Sequence, residues 1–201
     1  MPTRWYQEKK REHFYKQAKK DGYRARSAFK LKQIQNKFKI LKEGNTIIDL
    51  GAAPGGWSQV AKEIVGDKGK VIGIDLLPIQ SIEDVTFIEG DMTDDNSINE
   101  IKNIMNNRQA DTILSDMSPD ISGNYSVDQA RSIHLCEQAF KTCSEFLRPG
   151  GNFVCKVFMG EDFQEFFQKI KKQFQTVKQF SPSASRKTSS EIYVIAKSFK
   201  Y

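Results

Sequence analysis

The chain has 201 residues, of which 38% are apolar and 28% charged, and its formal net charge is +6. This length suits one domain with a substantial core and leaves little room for two, and the composition lies inside the range of a soluble globular protein. No apolar run approaches the ~20 residues of a membrane helix, and the N-terminus lacks the apolar core of a signal peptide. Three scattered cysteines and two histidines argue against a disulfide scaffold and a metal site. We therefore expect a cytoplasmic protein with no bound metal.

The charge is concentrated at the N-terminal end of the chain. Residues 1–43 hold 14 Lys/Arg against 4 Asp/Glu, whereas the rest holds 17 against 21. This asymmetry predicts a basic helical arm, residues 1–43, packed on a body formed by residues 44–201, with a polyanionic partner met through the arm. A solvated amphipathic helix is the alternative, and the interleaved aromatic residues could equally pack the arm onto the body.

Beyond the arm, short apolar runs alternate with longer amphipathic stretches. The sequence predicts five strands (Thr46–Leu50, Lys70–Leu76, Val85–Glu89, Thr112–Ser115, Asn152–Phe158). Helical patterns lie between or after them (56–66, 95–107, 127–147, 161–173). This alternation favours an α/β fold with a parallel sheet covered on both faces. Two further strands, near 174–180 and 190–197, have no helix between them, which favours an antiparallel pair.

A glycine-rich turn follows the first predicted strand, within Ile47–Ser58. Small residues there let a ligand approach the backbone, but Asp49 at the strand end would repel a phosphate. A cationic, phosphate-free cofactor such as S-adenosylmethionine fits better, with Asp49 orienting its amino end. Asp75 closes the second strand and could accept both ribose hydroxyls, and Asp91 follows the third within reach of an adenine edge. On the turn alone, a tight connection without a ligand is an equal alternative.

Four charged residues are hard to explain as surface. Asp116 and Lys156 are joined to apolar strands, Glu191 opens the last predicted strand, and Lys30 lies on the helix before the body. Together they form a balanced charge cluster at the carboxyl edge of the sheet. Burial and a second ammonium favour the neutral form of a lysine, so Lys156 is our candidate base for a ribose hydroxyl that attacks the cofactor's methyl group.

The sequence resembles the FtsJ/RlmE family of large-subunit ribosomal RNA (uridine-2′-O-)-methyltransferases. The resemblance rests on six segments in this order: Arg24–Leu31, Asp49–Gln59, Asp75–Pro78, Ser115–Pro119, Lys156–Phe158, and Ser185-Arg186 with Ser190–Tyr193. It implies a Rossmann-like methyltransferase fold with a seven-stranded, mostly parallel sheet, an antiparallel last strand and helices on both faces. Ser118 and Asp120 depart from the family, which often has Ala and Asn there, and Asp120 adds a carboxylate near the mouth of the site while the tetrad stays intact.

The resemblance also implies the roles of individual residues. The catalytic tetrad would be Lys30, Asp116, Lys156 and Glu191, and cofactor contacts would be made by the following residues: Gly55, Trp57, Asp75, Asp91 and Asp116. The substrate would be a uridine of large-subunit ribosomal RNA in the assembled subunit. We expect Arg24, Arg26 and Arg186 to contact phosphates, and a monomer that acts on neither DNA nor membranes.

Other functions compete with this interpretation. Cytosine-C5 methyltransferases share a similar glycine-rich turn but need a cysteine nucleophile after a proline, and Ser118-Pro119-Asp120 offers none. Amino-group methyltransferases favour an aromatic residue after Asn/Asp-Pro-Pro, which is absent. A transfer RNA 2′-O-methyltransferase remains open. So does a catalytically silent RNA-binding ribosome assembly factor, because a fold does not determine a function.

Overall fold

The computed structural model describes residues 14–106, 108–185 and 190–200. Its helices are α1 (14–20), α2 (Ala28–Phe38), α3 (Gly56–Val65), α4 (Asp95–Met105), α5 (Tyr125–Phe146) and α6 (Phe163–Gln173). Its strands are β1 (Thr46–Leu50), β2 (Lys70–Asp75), β3 (Val85–Glu89), β4 (Ala110–Ser115), β5 (Leu147–Phe158), β6 (Phe174–Phe180) and β7 (Glu191–Phe199). Within these ranges, every helix is too short or too polar to cross a membrane.

The seven strands form one sheet in the order β3-β2-β1-β4-β5-β7-β6. Strands β1 to β5 pair in parallel, and β7 runs antiparallel to both of its neighbours, β5 and β6. The predicted mostly parallel sheet with an antiparallel last strand is therefore confirmed. Because β7 is reversed, its first residue, Glu191, pairs with Phe158 at the end of β5. The start of β7 thus lies at the carboxyl edge of the parallel strands.

Several element boundaries differ from the sequence prediction, and two of the differences have a clear local reason. Helix α5 begins at Tyr125 rather than at 127, because Asn124 caps it by accepting a hydrogen bond from the amide of Val127. Strand β5 begins at Leu147 rather than at Asn152. Its register with β4 shifts between these two residues, so the Pro-Gly-Gly turn forms a bulge within the strand instead of preceding it.

The core is divided between the two faces of the sheet. Side chains of successive strand residues point to opposite faces, so Cys155 and Val157 face α5 and α6, whereas Val154 faces α2 and α3. Helix α2 adds fully buried apolar residues from one side of the helix to this second cluster: Ala28, Leu31 and Ile34. Full burial of each large aliphatic side chain contributes about 1.5–3 kcal/mol, so α2 is firmly docked on the body.

Candidate active site

The structure brings the four predicted tetrad residues together at the carboxyl edge of the sheet. Asp116 follows β4, Lys156 lies in β5, Glu191 opens β7, and Lys30 reaches the edge from α2. Their side chains are largely buried, with exposed fractions of 8% for each lysine, 15% for Asp116 and 13% for Glu191. The four charges form two ion pairs, which balances them where solvent screening is weak.

The first pair joins two neighbouring strands. Lys156 Nζ donates a hydrogen bond to the backbone carbonyl of Asp116 at 2.6 Å and lies 3.3 Å from Asp116 Oδ1. The parallel pairing of β4 with β5 sets this distance, because the register Ser115↔Cys155 places the next residue of each strand side by side. The amine is therefore held by sheet geometry and not by a flexible loop.

The second pair joins the N-terminal part of the chain to its last strand. Lys30 Nζ donates to Glu191 Oε1 at 2.6 Å, and the hydroxyl of Ser185 donates to the same oxygen at 2.9 Å. Burial raises the pKa of Glu191, but the charge and hydrogen bond of Lys30, together with the charge of Lys156 and the hydrogen bond of Ser185, outweigh burial and leave this pKa below its ordinary value. Glu191 is thus held as a carboxylate that fixes the Lys30 ammonium at the site.

Tyr193 links the two pairs, and the sequence analysis did not identify it as a site residue. Its hydroxyl donates to Asp116 Oδ1 at 2.6 Å and lies 3.3 Å from Glu191 Oε1. The side chain is fully buried. Burial first, and the negative charges of both carboxylates next, raise the pKa of Tyr193 well above its usual value, so the phenol keeps its proton and remains a donor.

The ring of Tyr193 is held between an indole and an ammonium. It stacks on Trp57 with ring centroids 5.7 Å apart, and Lys30 Nζ lies 5.6 Å from its centroid. The indole nitrogen of Trp57 donates to the carbonyl of Ser27, the residue that precedes α2. Trp57 therefore packs beneath the tetrad and is 2% exposed. Its predicted contact with the cofactor stays a prediction, because Trp57 is not among the residues that line the cavity described next.

A cavity of about 540 Å³ opens beside Asp116 at the ends of β1, β2, β3 and β4. Three predicted site acids line it, Asp75, Asp91 and Asp116, and no lysine or arginine is among its described lining residues. A pyrophosphate would meet negative charge there, whereas a sulfonium and an ammonium would meet complementary carboxylates. The lining residues therefore suit S-adenosylmethionine better than a dinucleotide.

Backbone amides fix two of these acids in position. Asp75 accepts hydrogen bonds from the amides of Ala53 and Leu77, both at 2.9 Å, one on each carboxylate oxygen. Asp91 accepts from the amide and the hydroxyl of Thr93 at 2.8 and 2.7 Å. Each oxygen of Asp75 keeps a second lone pair, and the two Thr93 bonds share Oδ1 of Asp91 and leave its Oδ2, so both residues remain able to accept hydrogen bonds from a ligand.

Asp49 does not line this cavity, although the sequence analysis placed it at the cofactor's amino end. Its carboxylate faces α3, where Oδ2 accepts from the hydroxyl of Ser58 at 2.6 Å and the buried Oδ1 has no partner among the described residues. Burial raises the pKa of Asp49 to about 7, the Ser58 hydrogen bond opposes the rise, and the charges of Asp116 and Asp75 add to it. Asp49 lies inside β1, whereas the cavity-lining Gly51 belongs to the turn that follows this strand.

Gly55 and Arg24 form a contact between the glycine-rich turn and the N-terminal part of the chain. A side chain at Gly55 would meet the Arg24 guanidinium at 3.1 Å, and the φ of Gly55 is 105°. The guanidinium donates to three backbone carbonyls, those of Pro54, Gln80 and Ser81. Gly55 does not line the cavity, so its predicted cofactor contact also stays a prediction.

The three arginines predicted to contact RNA phosphates differ in how far the structure describes their surroundings. The hydrogen bonds of Arg24 secure the segment before α2 to the body. Arg26 lies half-buried in the turn before α2, and Arg186 lies outside the described residues. The three RNA contacts therefore remain predictions.

Comparison with known proteins identifies relatives over most of the chain. The model of the FtsJ-like methyltransferase family matches residues 23–199. The chain is 46% identical over 196 residues to the ribosomal RNA large subunit methyltransferase E of Acinetobacter baumannii, covering 98% of this chain and 91% of the relative. It is 48% identical over 190 residues to the protein of the same name in Methanosarcina acetivorans, covering 94% and 69%.

A solved structure agrees with these sequence matches. The crystal structure of a putative ribosomal RNA methyltransferase from Plasmodium falciparum superposes with a TM-score of 0.81 at 32% identity, covering 88% of this chain and 98% of that one. The chain belongs to the FtsJ-like methyltransferases, which take their methyl group from S-adenosylmethionine.

Proposed function

We propose that this protein methylates the 2′-hydroxyl of a uridine in large-subunit ribosomal RNA, and that the assembled subunit is its substrate. The observation that carries the proposal is the pair of buried, ion-paired lysines beside an acid-lined cavity. Both relatives described above are named as large-subunit ribosomal RNA methyltransferases, which supports the choice of RNA.

The proposed chemistry needs a base for the hydroxyl and an in-line methyl donor. S-adenosylmethionine supplies an electrophilic methyl group. Lys156 in its neutral form accepts the hydroxyl proton, and the ammonium that results is stabilised by the carboxylate of Asp116, 3.3 Å away. Lys30, held by Glu191, places a second positive charge beside the oxygen that becomes nucleophilic. Fixing both reactants in line provides much of the remaining acceleration.

The environments of the cysteines argue against base methylation through a covalent intermediate. Cys136, Cys143 and Cys155 are all buried. Burial raises the pKa of both Cys143 and Cys155 well above the ordinary value, which suppresses the thiolate that such a reaction requires. The two intact ion pairs argue against a catalytically silent assembly factor, because buried charges are costly to keep without a use.

The proposal also covers the organisation of the chain, its contact with RNA, its oligomeric state and its location in the cell. We infer that residues 1–43 act as a basic arm on a methyltransferase domain formed by residues 44–201, and that the arm contacts phosphates near the target. We also infer a cytoplasmic monomer that leaves DNA and membranes untouched. Binding to the RNA should weaken steeply as salt rises if several phosphates are contacted.

Alkaline hydrolysis tests the central claim. The protein is incubated with methyl-labelled S-adenosylmethionine and large ribosomal subunits that lack the modification, and the RNA is then hydrolysed in alkali. A 2′-O-methyl group removes the hydroxyl through which alkali cleaves the chain, so we expect label in alkali-resistant dinucleotides. Label in mononucleotides would mean base methylation, and label only in transfer RNA supplied as a competitor would overturn the ribosomal substrate.

A further inference from the structure

The loop between β4 and α5, together with the first turn of α5, exposes an apolar patch. Ile121, Tyr125 and Val127 are 64%, 62% and 39% exposed. Tyr125 is one of two strongly exposed aromatic side chains within the described ranges, and the other, Tyr15, lies on α1. None of the three patch residues lines the cofactor cavity. The patch therefore needs a separate explanation, since ordered apolar side chains gain nothing from contact with water alone.

The loop that presents this patch is held by hydrogen bonds. Asp128 accepts from the amide and the hydroxyl of Ser122 at 2.8 and 2.7 Å and from the amide of Gly123 at 3.2 Å. These bonds lower the pKa of Asp128, so it stays ionised and keeps its role as acceptor. Arg131 also donates to the carbonyl of Asp120. A loop ordered in this way loses little further entropy when a ligand binds to it.

The exposed ring of Tyr125 is anchored through its hydroxyl at the carboxyl edge of the sheet. Its hydroxyl donates to the carbonyl of Met159 at 3.1 Å. The amide of Met159 in turn donates to the carbonyl of Ser190, the residue before Glu191, at 2.9 Å. Met159 lies three residues beyond Lys156, which is roughly 10 Å along a strand. The Tyr125 hydroxyl is therefore anchored at the end of the strand that carries Lys156, next to the start of β7.

We propose that Tyr125, bordered by Ile121, is a stacking platform for an unpaired nucleobase of the RNA at or beside the methylated nucleotide. This inference rests on the proposed function, because it takes RNA as the molecule that reaches Lys156. A tyrosine offers a flat face that stacks on any base, and its anchored hydroxyl keeps that face in one orientation. The ion pairs act on the ribose, and Tyr125 positions the nucleotide through its base.

A comparison of two RNA probes tests the platform without relying on methyl transfer. We would measure by fluorescence anisotropy the Kd of a short oligouridylate and of the same oligonucleotide with abasic ribose units, which keep every phosphate. The wild-type protein should bind the oligouridylate more tightly, by roughly 5- to 100-fold, the range that one stacked base supplies. Tyr125→Leu, which keeps an apolar side chain but removes the aromatic face, should abolish most of this difference.

Two controls separate stacking from a general loss of structure. Tyr125→Phe retains the ring and should keep most of the preference for bases, although it loses the bond to Met159. The Kd for S-adenosylmethionine should be unchanged in both variants, because Tyr125 lies outside the cavity lining. The platform is overturned if the wild type binds both probes equally, or if Tyr125→Leu keeps the preference. Failure of the alkali experiment with an intact base preference would overturn the proposed function alone.

Discussion

The two ion pairs of the site are built in different ways. Lys156 and Asp116 are 40 residues apart and lie on neighbouring parallel strands, so the central sheet itself sets their geometry. Lys30 and Glu191 are 161 residues apart, and they meet only because α2 docks across the edge of the sheet. The first pair is as rigid as the core. The second pair depends on the packing of a peripheral helix, which makes it the more easily altered half of the site.

The largest effect is expected at the pair built into the sheet. Lys156→Ala should lower kcat by about 10³-fold or more, since it removes the proposed general base, while S-adenosylmethionine still binds. Lys156→Arg tests whether residue 156 is needed as a base or only as a positive charge, because arginine keeps the charge but does not give up its proton in proteins. We expect both variants to be inactive in the methyl-transfer assay. An active Lys156→Arg enzyme would show that only the charge is needed.

A smaller loss is expected at the pair that depends on α2. Lys30→Ala should lower kcat by about 10²-fold, the usual cost of losing one charged group near a developing anion. It also removes the stronger of the two lysine charges that oppose burial at Glu191, so the pKa of Glu191 should rise. Lys32→Ala is a matched control on the same helix, because Lys32 is 38% exposed and pairs only loosely with Glu63 at 3.8 Å. Equal losses in both variants would point to undocking of α2 and not to a missing charge.

Tyr193→Phe tests the connection between the two pairs. The substitution keeps the stacking on Trp57 but removes the donor that lies between Asp116 and Glu191. We expect kcat to fall about 10-fold with little change in KM. The acid limb of the pH profile of kcat should move to higher pH, because a carboxylate that has lost a hydrogen-bond donor is easier to protonate.

The control for this variant is a second tyrosine that donates to a carboxylate. Tyr23 donates to Glu63 at 2.6 Å, away from the tetrad, so Tyr23→Phe should leave the pH profile of kcat unchanged. A purely structural role for Tyr193 would lower the melting temperature of Tyr193→Phe without moving that profile.

The contrast between the pair set by the sheet and the pair set by the docking of α2 also explains how much of the molecule is predictable from its sequence. Apolar runs bounded by glycine or polar residues identify β1 and β3 to the residue, and Asp116 and Lys156 are conspicuous as charges joined to such runs. Nothing in the run around Tyr193 separates it from an ordinary buried aromatic residue. Its role appears only when the register of β7 against β5 places it opposite Lys156.

Side-chain direction near the glycine-rich turn is also not predictable from spacing. Asp49 and Trp57 stand in the segment that resembles a cofactor motif, yet one faces Ser58 and the other Tyr193. Asp49 lies in β1 and Trp57 in α3, and the irregular turn between them prevents the side-chain directions of the helix from being inferred from those of the strand. The cavity-lining acids Asp75 and Asp91 were easier to predict because they end regular strands or follow them directly.

The smallest effect on activity is expected at Asp49, a buried residue of β1. This residue tests the sheet through the pH dependence of the protein's stability. Its pKa of about 7 lies above the ordinary value of 3.8. Between these values the folded protein keeps a proton that the unfolded chain releases, so this residue's contribution to stability falls as pH rises from about 4 to 7. Asp49→Asn removes that dependence. Relative to the wild type, the variant should gain on the order of 4 kcal/mol in the free energy of unfolding across this window, with no further gain above it.

Denaturant unfolding at a series of pH values measures this gain, and Ser58→Ala sharpens it. The Ser58 hydroxyl favours the ionised form of Asp49, so its removal should raise the pKa of Asp49 further and extend the sloping region to higher pH. Lys30→Ala should leave the Asp49 slope unchanged, because Lys30 belongs to the pair that α2 supplies. A parallel shift of the whole curve in Asp49→Asn, with the slope preserved, would mean that another group titrates in this window and that Asp49 is already ionised in the folded protein.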